Sequence, residues 1–184
     1  MRQGRGPGEF LTADIASGLL VSRGVGADVT MTTADASLFA TAFTFHRPQV
    51  QPGDLLEFSV AFSVTQTSGA TRVYSPTVKL GAATIFNSGM SAGLSTSATA
   101  RHGQVRSLIR VEGLASQSIF TQLAIGGAGP NTDPYVIGCS NLTTATVDLT
   151  QPSSLDFLLA SAADTATQNA KVLQAWLRHV PLLA

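Results

Sequence analysis

Charge is scarce in this chain of 184 residues, and its two signs balance. Charged residues make up 12% of the sequence, and eleven basic residues cancel eleven acidic ones. This is about half the charged share of a typical globular protein. Because phosphate contacts need clustered lysine and arginine, we expect no nucleic-acid partner. A neutral surface favours self-association, which suits a subunit partly covered by copies of itself or by partners.

Cysteine and long apolar runs are also nearly absent. Cys139 is the single cysteine, so neither an intrachain disulfide nor an all-cysteine metal site can form. No window approaches the roughly 18 apolar residues that a membrane span requires. Gly, Pro, Glu and Asp interrupt the N-terminal segment where a signal peptide needs an apolar core. We therefore expect that the protein folds in a cytoplasm and does not insert into a membrane.

Groups that could act in catalysis or metal binding occur singly. His46, His102 and His179 are far apart, and none has a metal-ligand partner at short spacing. No G-x-S-x-G nucleophile motif occurs. We predict no catalytic residue, no metal site and no cofactor. A solvated or packed side chain is the favoured interpretation of each histidine. For His46 at a strand end and His179 near the C-terminus, a contact to a partner is the only functional role we consider.

Two small groups of charged residues are better explained by structural roles than by function. Asp148 and Asp156 flank one predicted hairpin and could approach each other as an acid–base pair, but no aromatic sugar platform accompanies them. Arg101, Arg106 and Arg110 are the nearest approach to a basic patch. In a neutral protein such arginines are more typical of a solvated surface or an interface with acidic partners.

Alternation with a period of two is the dominant pattern of the chain. In LLEFSVAFSV (55–64) the large apolar side chains fall on one face of a strand, namely Leu56, Phe58, Val60, Phe62 and Val64. The pattern recurs in 38–45, 104–111 and 119–125, separated by Pro-, Gly- and Asn-rich turns. Two further strands are expected at 143–149 and 155–160, joined by a turn at Gln151 and Pro152. About eight short strands without βα alternation predict an all-β, antiparallel sandwich.

The segment 171–180 is ambiguous. Its apolar residues at helical spacing are Leu173, Trp176, Leu177 and Val180. As a strand it places Val172, Trp176 and Val180 on one face. Propensity alone slightly favours the helix.

The N-terminal residues differ in composition from the rest. Residues 1 to about 12 are rich in Gly and basic, with little to bury, so we expect a flexible or partner-ordered arm. Residues 13–36 form a lead-in segment with an edge strand near Leu19. We predict that 1–36 docks the protein on a neighbour and that 37–184 is the folded domain. The arm residues expected to contact a partner are Arg2, Arg5, Phe10 and Leu11.

The order of these pieces resembles a jelly-roll domain of tailed-phage structural proteins, especially head-fibre, decoration and tail-associated proteins. The pieces that carry the resemblance are LLEFSVAFSV, TVKLGAATIFNSG (77–89), GQVRSLIRVEG (103–113), IFTQLAIGG and TTATVDLTQPSSLDFLLASAADTATQNAKVLQAWLRHV (143–180). The resemblance covers about residues 37–181.

The resemblance implies a jelly-roll β-sandwich of two sheets with an extended N-terminal arm. It implies that 171–180 is the closing strand, and we predict a strand there. It also implies a non-enzymatic virion protein, assembled in the host cytoplasm. Such proteins form homo-oligomers, most often trimers, that attach to capsid or tail subunits.

Carbohydrate binding is the main alternative, as a free module or as a receptor-binding domain on a particle that contacts host surface glycan. Sugar sites favour exposed aromatic rings, and the chain has only Trp176, Tyr74 and Tyr135, dispersed in sequence. Tyr135, in the loop GGAGPNTDPY, is the candidate glycan contact. A small β-sandwich hydrolase is the third and least favoured interpretation.

Overall fold

The alternating segment around Phe58 and Phe62 forms the centre of the protein. In the computed structural model, which describes residues 19–45, 50–67, 72–88, 97–126, 137–162 and 168–181, this segment is a strand of 12 residues. Its apolar residues from Leu56 to Val64 are buried on one face. Aromatic and β-branched side chains favour this pleated, half-buried surface.

The described residues form twelve strands and no helix. In chain order they are β1 (Leu19–Arg23), β2 (Val29–Thr30), β3 (Ala36–Ser37), β4 (Phe43–Phe45), β5 (Leu55–Gln66), β6 (Tyr74–Leu80), β7 (Ala83–Asn87), β8 (Ser97–Gly113), β9 (Ser116–Ile125), β10 (Ile137–Ala145), β11 (Ser153–Ser161) and β12 (Gln168–Val180).

These strands build two antiparallel sheets. The seven-stranded sheet has the order β1-β12-β5-β8-β9-β10, with β2 also paired to β12. The five-stranded sheet has the order β3-β11-β6-β7, with β4 also paired to β11. The predicted all-β antiparallel sandwich is confirmed. It contains more strands than the eight expected, because short pieces before β5 pair along the other strands.

The core lies between the two sheets and is built around phenylalanine rings. Phe39, Phe43 and Phe58 contact one another edge to face, with ring centroids 4.8 to 6.3 Å apart. Phe62 of the large sheet packs on Phe157 of the small sheet at 4.9 Å. Aromatic pairs in these geometries stabilise a core beyond the area that they bury.

The closing segment is a strand, as predicted, but its faces differ from the prediction. The pairing of β12 with β5 shifts register between Val172 and Gln174. One extra residue in a strand reverses the face of every residue after it. Val172 is therefore buried in the core, whereas Trp176 lies on the opposite face and is half-buried. The prediction that Val172 and Trp176 share a face is wrong.

Two other strand predictions also change. Residues 38–42 form no strand, and only Phe43–Phe45 of the expected strand 38–45 pairs with β11. Phe39 still reaches the core from a bend. The strand expected at 143–149 begins earlier, at Ile137, and ends at Ala145.

The described part of the N-terminal segment contributes to both sheets, mostly to the large one, while Ala36 of β3 pairs with β11 of the small sheet. Strand β1 pairs with β12 from Arg23 to Leu19, and β2 pairs with the other end of β12. Met31 is fully buried, and its N–H donates to the Gln168 carbonyl at 2.8 Å. A domain boundary at residue 37 remains a prediction. The proposed docking residues Arg2, Arg5, Phe10 and Leu11 lie outside the described residues.

Candidate functional site

The most distinctive surface is the outer face of the seven-stranded sheet, meaning the side chains that point away from the five-stranded sheet. It results directly from the alternation: while Val105, Ile109 and Val111 of β8 enter the core, the residues between them point outward. Arg106 and Arg110 are exposed there, as the sequence predicted. Five strands, β12, β5, β8, β9 and β10, contribute to this face.

One row across the outer face is apolar. Leu142 of β10 lies opposite Phe120 of β9, and Phe120 lies opposite Leu108 of β8. We call these three residues the apolar row. Leu142 is 75% exposed and stands on the edge strand, while Phe120 and Leu108 are partly exposed. Directly opposed apolar side chains on one face form a continuous contact surface.

The neighbouring row is polar and contains the single tryptophan. Trp176 lies opposite Ser59, Ser59 opposite Arg106, and Arg106 opposite Gln122. We call these four residues the polar row. Arg106 makes an ion pair with Glu57, which is largely buried on this face. The pair fixes the guanidinium in a surface that also presents the indole ring of Trp176 and the amide of Gln122. Ser59 is buried beneath this surface, and its hydroxyl accepts a hydrogen bond from the Gln104 side chain at 3.2 Å.

The face is also divided by charge. Strands β9 and β10 contain no Asp, Glu, Lys or Arg. The charged residues lie on β5, β8 and β12, where Arg110 approaches Glu112 at 3.5 Å and Lys171 approaches Asp28 at 3.7 Å. The half of the face that carries Phe120 and Leu142 is therefore electrically neutral.

The structure separates the three arginines that the sequence grouped. Arg101 enters the space between the sheets and is 1% exposed, whereas Arg106 and Arg110 lie on the outer face. A basic patch made of all three does not form. His102 is exposed, while His46 lies outside the described residues.

The strand ends near Arg101 hold a buried polar cluster. Gln66 faces Gln168 in the large sheet, and Tyr74 faces Ser161 in the small sheet. The Ser161 hydroxyl donates to the Gln168 side-chain carbonyl at 2.6 Å. Burial raises the pKa of Tyr74 to about 12, although the positive charges of Arg101 and Arg72 oppose that rise. These buried polar side chains form the boundary of the apolar core at this end of the sandwich.

The remaining candidates have structural partners. Asp148 accepts hydrogen bonds from the N–H and hydroxyl of Thr150, and Asp156 accepts one from the Ser37 hydroxyl at 2.6 Å. These contacts occupy the two carboxylates separately, so they give no support to an acid–base pair. His179 is buried and lies 2.8 Å from Asp54, so it is a packed histidine with a partner in its own chain, in agreement with the favoured interpretation.

Neither metal ligands nor a spanning helix were found in the part of the chain that the structure describes. No group of three or more His, Cys, Asp or Glu side chains there could hold a metal ion. None of those residues forms a helix long and apolar enough to cross a membrane. The proposed glycan contact Tyr135 lies outside the described residues.

The sequence analysis missed the two rows of the outer face. The alternation of Ile119, Leu123 and Ile125 already places Phe120 on the opposite side of the strand. Leu142 had no such signal, because its strand was expected to begin at Thr143 and in fact begins at Ile137.

Comparison with known proteins assigns no family. No family model and no curated protein matches the chain. Lectin I-B4 from Griffonia simplicifolia, in its metal-free form, is a solved structure similar to this one. It is 7% identical, the match covers 81% of this chain and 78% of the lectin chain, and the TM-score is 0.35. A similarity of this size carries no argument about what this chain binds.

Proposed function

We propose that this chain is a non-enzymatic structural subunit that associates with copies of itself through its side walls and sheet surface. The resemblance to jelly-roll proteins of tailed phages supplies the setting: a decoration, fibre or spike on a capsid or tail, most often as a trimer. In this proposal the arm with Arg2, Arg5, Phe10 and Leu11 attaches the subunit to other virion proteins.

The observation that carries self-association is the apolar row on a neutral part of the outer face. Leu142 and Phe120 present apolar area to solvent, and no charge on β9 or β10 opposes the approach of a second copy. Burying apolar area contributes about 25 cal/mol per Å² before the entropic costs of association. The low total charge of the chain removes long-range repulsion between copies.

The test is the mass of the purified protein in solution. Light scattering coupled to size exclusion, over a series of concentrations, should give a multiple of 19.0 kDa. A trimer agrees with the resemblance. A monomer at the highest concentration contradicts self-association. Attachment through the arm is tested separately, by asking whether the chain without residues 1–18 still copurifies with assembled particles.

A second candidate function, carbohydrate binding, is supported by the polar row. Trp176 is the only tryptophan, and it lies on the sheet surface in the same row as the ion-paired Arg106, with Ser59 between them. A ring face on the same surface as guanidinium and amide groups matches the apolar face and the hydroxyl groups of a sugar.

A glycan array separates the two candidates. If the polar row binds sugar, Trp176→Ala should lose at least tenfold in affinity, because the ring supplies the stacking surface. Leu142→Ala, which changes the neighbouring row, should keep the affinity of the unaltered chain. Tyr135→Ala tests the loop residue independently. No binding by the unaltered chain contradicts this second function and leaves self-association to its own test.

A further inference from the structure

Strand β10 is an edge strand of the seven-stranded sheet and is longer than β1 at the opposite edge. It pairs with β9 over nine residues, from Ile137 to Ala145, without a register shift. No described strand pairs with its other side. An open edge presents backbone N–H and C=O groups that can pair with another strand.

None of the usual protection against edge pairing is present in β10. Natural edges carry charges, proline or bulges, or they are very short. The sequence IGCSNLTTA of β10 has no charged residue and no proline. The opposite edge of the same sheet, β1, is five residues long, contains Arg23 and has a register shift. One edge of the sheet therefore carries features that oppose pairing with another strand, and the other edge does not.

We propose that β10 pairs antiparallel with β10 of a second copy, joining two seven-stranded sheets into one continuous sheet. This inference rests on the self-association proposed above and names its contact. A strand paired antiparallel with itself obeys a two-fold axis, so each copy supplies and receives the same hydrogen bonds.

The apolar row and the charges favour a second copy over another partner. The row ends at the edge with its most exposed member, Leu142. Antiparallel pairing across a two-fold axis places the apolar row of one copy beside the apolar row of the other. Each copy then covers the Leu142 side chain of its partner. The neutrality of β9 and β10 excludes like-charge repulsion across the seam and offers no attraction to a charged partner.

Charge substitution tests the seam. Leu142→Lys places a cation beside its symmetry copy and should raise the dissociation constant of the dimer at least tenfold. Gln122→Lys adds the same charge on the same face, one strand further from the edge, and serves as the matched control. It should leave the dissociation constant within about twofold, and circular dichroism should show both variants folded. Equal dissociation constants for Leu142→Lys and the unaltered chain overturn the proposal.

Crosslinking tests the geometry without relying on charge. In a Cys139→Ser background, single cysteines at Asn141, Leu142 and Thr143 should give disulfide-linked dimers at one position or at two adjacent ones. Gln122→Cys should not crosslink, because three strand spacings of about 4.8 Å place the two copies about 14 Å apart, beyond the roughly 7 Å reach of a disulfide.

The outcomes distinguish this inference from the proposed function. If the unaltered chain is a monomer at every concentration, both fail. If the chain is an oligomer whose dissociation constant is unchanged by Leu142→Lys, or if no crosslink forms at 141–143, the proposed seam is wrong and self-association stands. A two-fold contact joins copies in pairs and cannot close a ring of three. A trimer therefore also overturns the seam and leaves self-association standing.

Discussion

The imidazole of His179 lies 2.8 Å from the carboxylate of Asp54, joining the last strand to the turn that precedes β5. Both side chains are buried. The same Asp54 oxygen accepts the N–H of Gln51 at 2.7 Å, across a turn in which Gly53 has a φ of 98°. One carboxylate therefore organises the turn and anchors the C-terminal end of β12 against β5.

Breaking this contact should destabilise the protein. Asp54→Ala and His179→Ala should each lower the free energy of unfolding by about 1 to 3 kcal/mol, because each leaves a buried polar group without its partner. The double variant should cost less than the sum of the two, since the partner is already gone. Urea denaturation measures all three.

An exposed ion pair provides the control. Asp28→Ala removes the carboxylate that lies 3.7 Å from Lys171 at the surface. We expect a change of less than about 0.5 kcal/mol. Equal costs for Asp28→Ala and Asp54→Ala would contradict the importance assigned to burial.

Gly103 should not tolerate a side chain. It lies opposite Phe62 in the β5–β8 pairing, and a Cβ atom there would stand 2.4 Å from the ring. The ring cannot simply move, because it packs on Phe157. We expect Gly103→Ala to lower the free energy of unfolding by about 1 to 3 kcal/mol, the usual cost of overpacking.

Gly113 in the same strand is the matched control for that substitution. A Cβ atom at Gly113 meets nothing closer than 3.8 Å. Gly113→Ala should therefore be neutral within about 0.5 kcal/mol. Thermal unfolding of the two variants side by side decides the point, and similar midpoints would refute the steric explanation.

The Tyr74 hydroxyl should make stability depend on alkaline pH. Burial raises its pKa to about 12 in the folded protein, while an unfolded tyrosine titrates near 10. Between these values the folded state binds more protons, so stability should be retained below pH 10 and fall as pH rises toward 12. Tyr74→Phe should show a smaller loss over that window, and equal losses for this variant and the unaltered chain would contradict the role of Tyr74.

The same substitution should not harm the protein at neutral pH. The Tyr74 hydroxyl is buried and has no hydrogen-bond partner among the described residues. Its removal should leave stability unchanged or raise it by up to about 2 kcal/mol. A loss of more than about 1 kcal/mol at pH 7 would indicate a partner for the hydroxyl.

Truncation should distinguish the arm from the sheet. Removing residues 1–18 leaves every described strand in place, and we expect an unchanged melting temperature. Removing 1–36 deletes β1, β2 and the buried Met31, which should cost at least about 2 kcal/mol. Equal melting temperatures for the two truncations would support a domain that begins at residue 37.

Much of the sandwich could be predicted from local pattern alone. The alternation from Leu56 to Val64 determines which side chains of β5 enter the core, and the same holds for Val105 to Val111 in β8. This works because neighbouring side chains of a strand always point to opposite faces. The pattern failed where that rule was interrupted, at the bulge between Val172 and Gln174.

The contacts that define the site could not be predicted in this way. Asp54 and His179 are 125 residues apart in sequence, and nothing in either segment indicates the other. The apolar row likewise needs Leu108, Phe120 and Leu142 to stand side by side. That requires the order and register of three strands, which turns, bulges and core packing set together.

By itself, the sequence determined that this protein has two-faced strands, little charge and a neutral stretch in β9 and β10, because these are properties of adjacent residues. Only the tertiary structure decided which strand forms the open edge, where β12 changes face, and which outward side chains meet. The physical reason is that strand neighbours are chosen by the burial of shared apolar area across long stretches of chain. A local sequence pattern therefore does not predict which strands become neighbours.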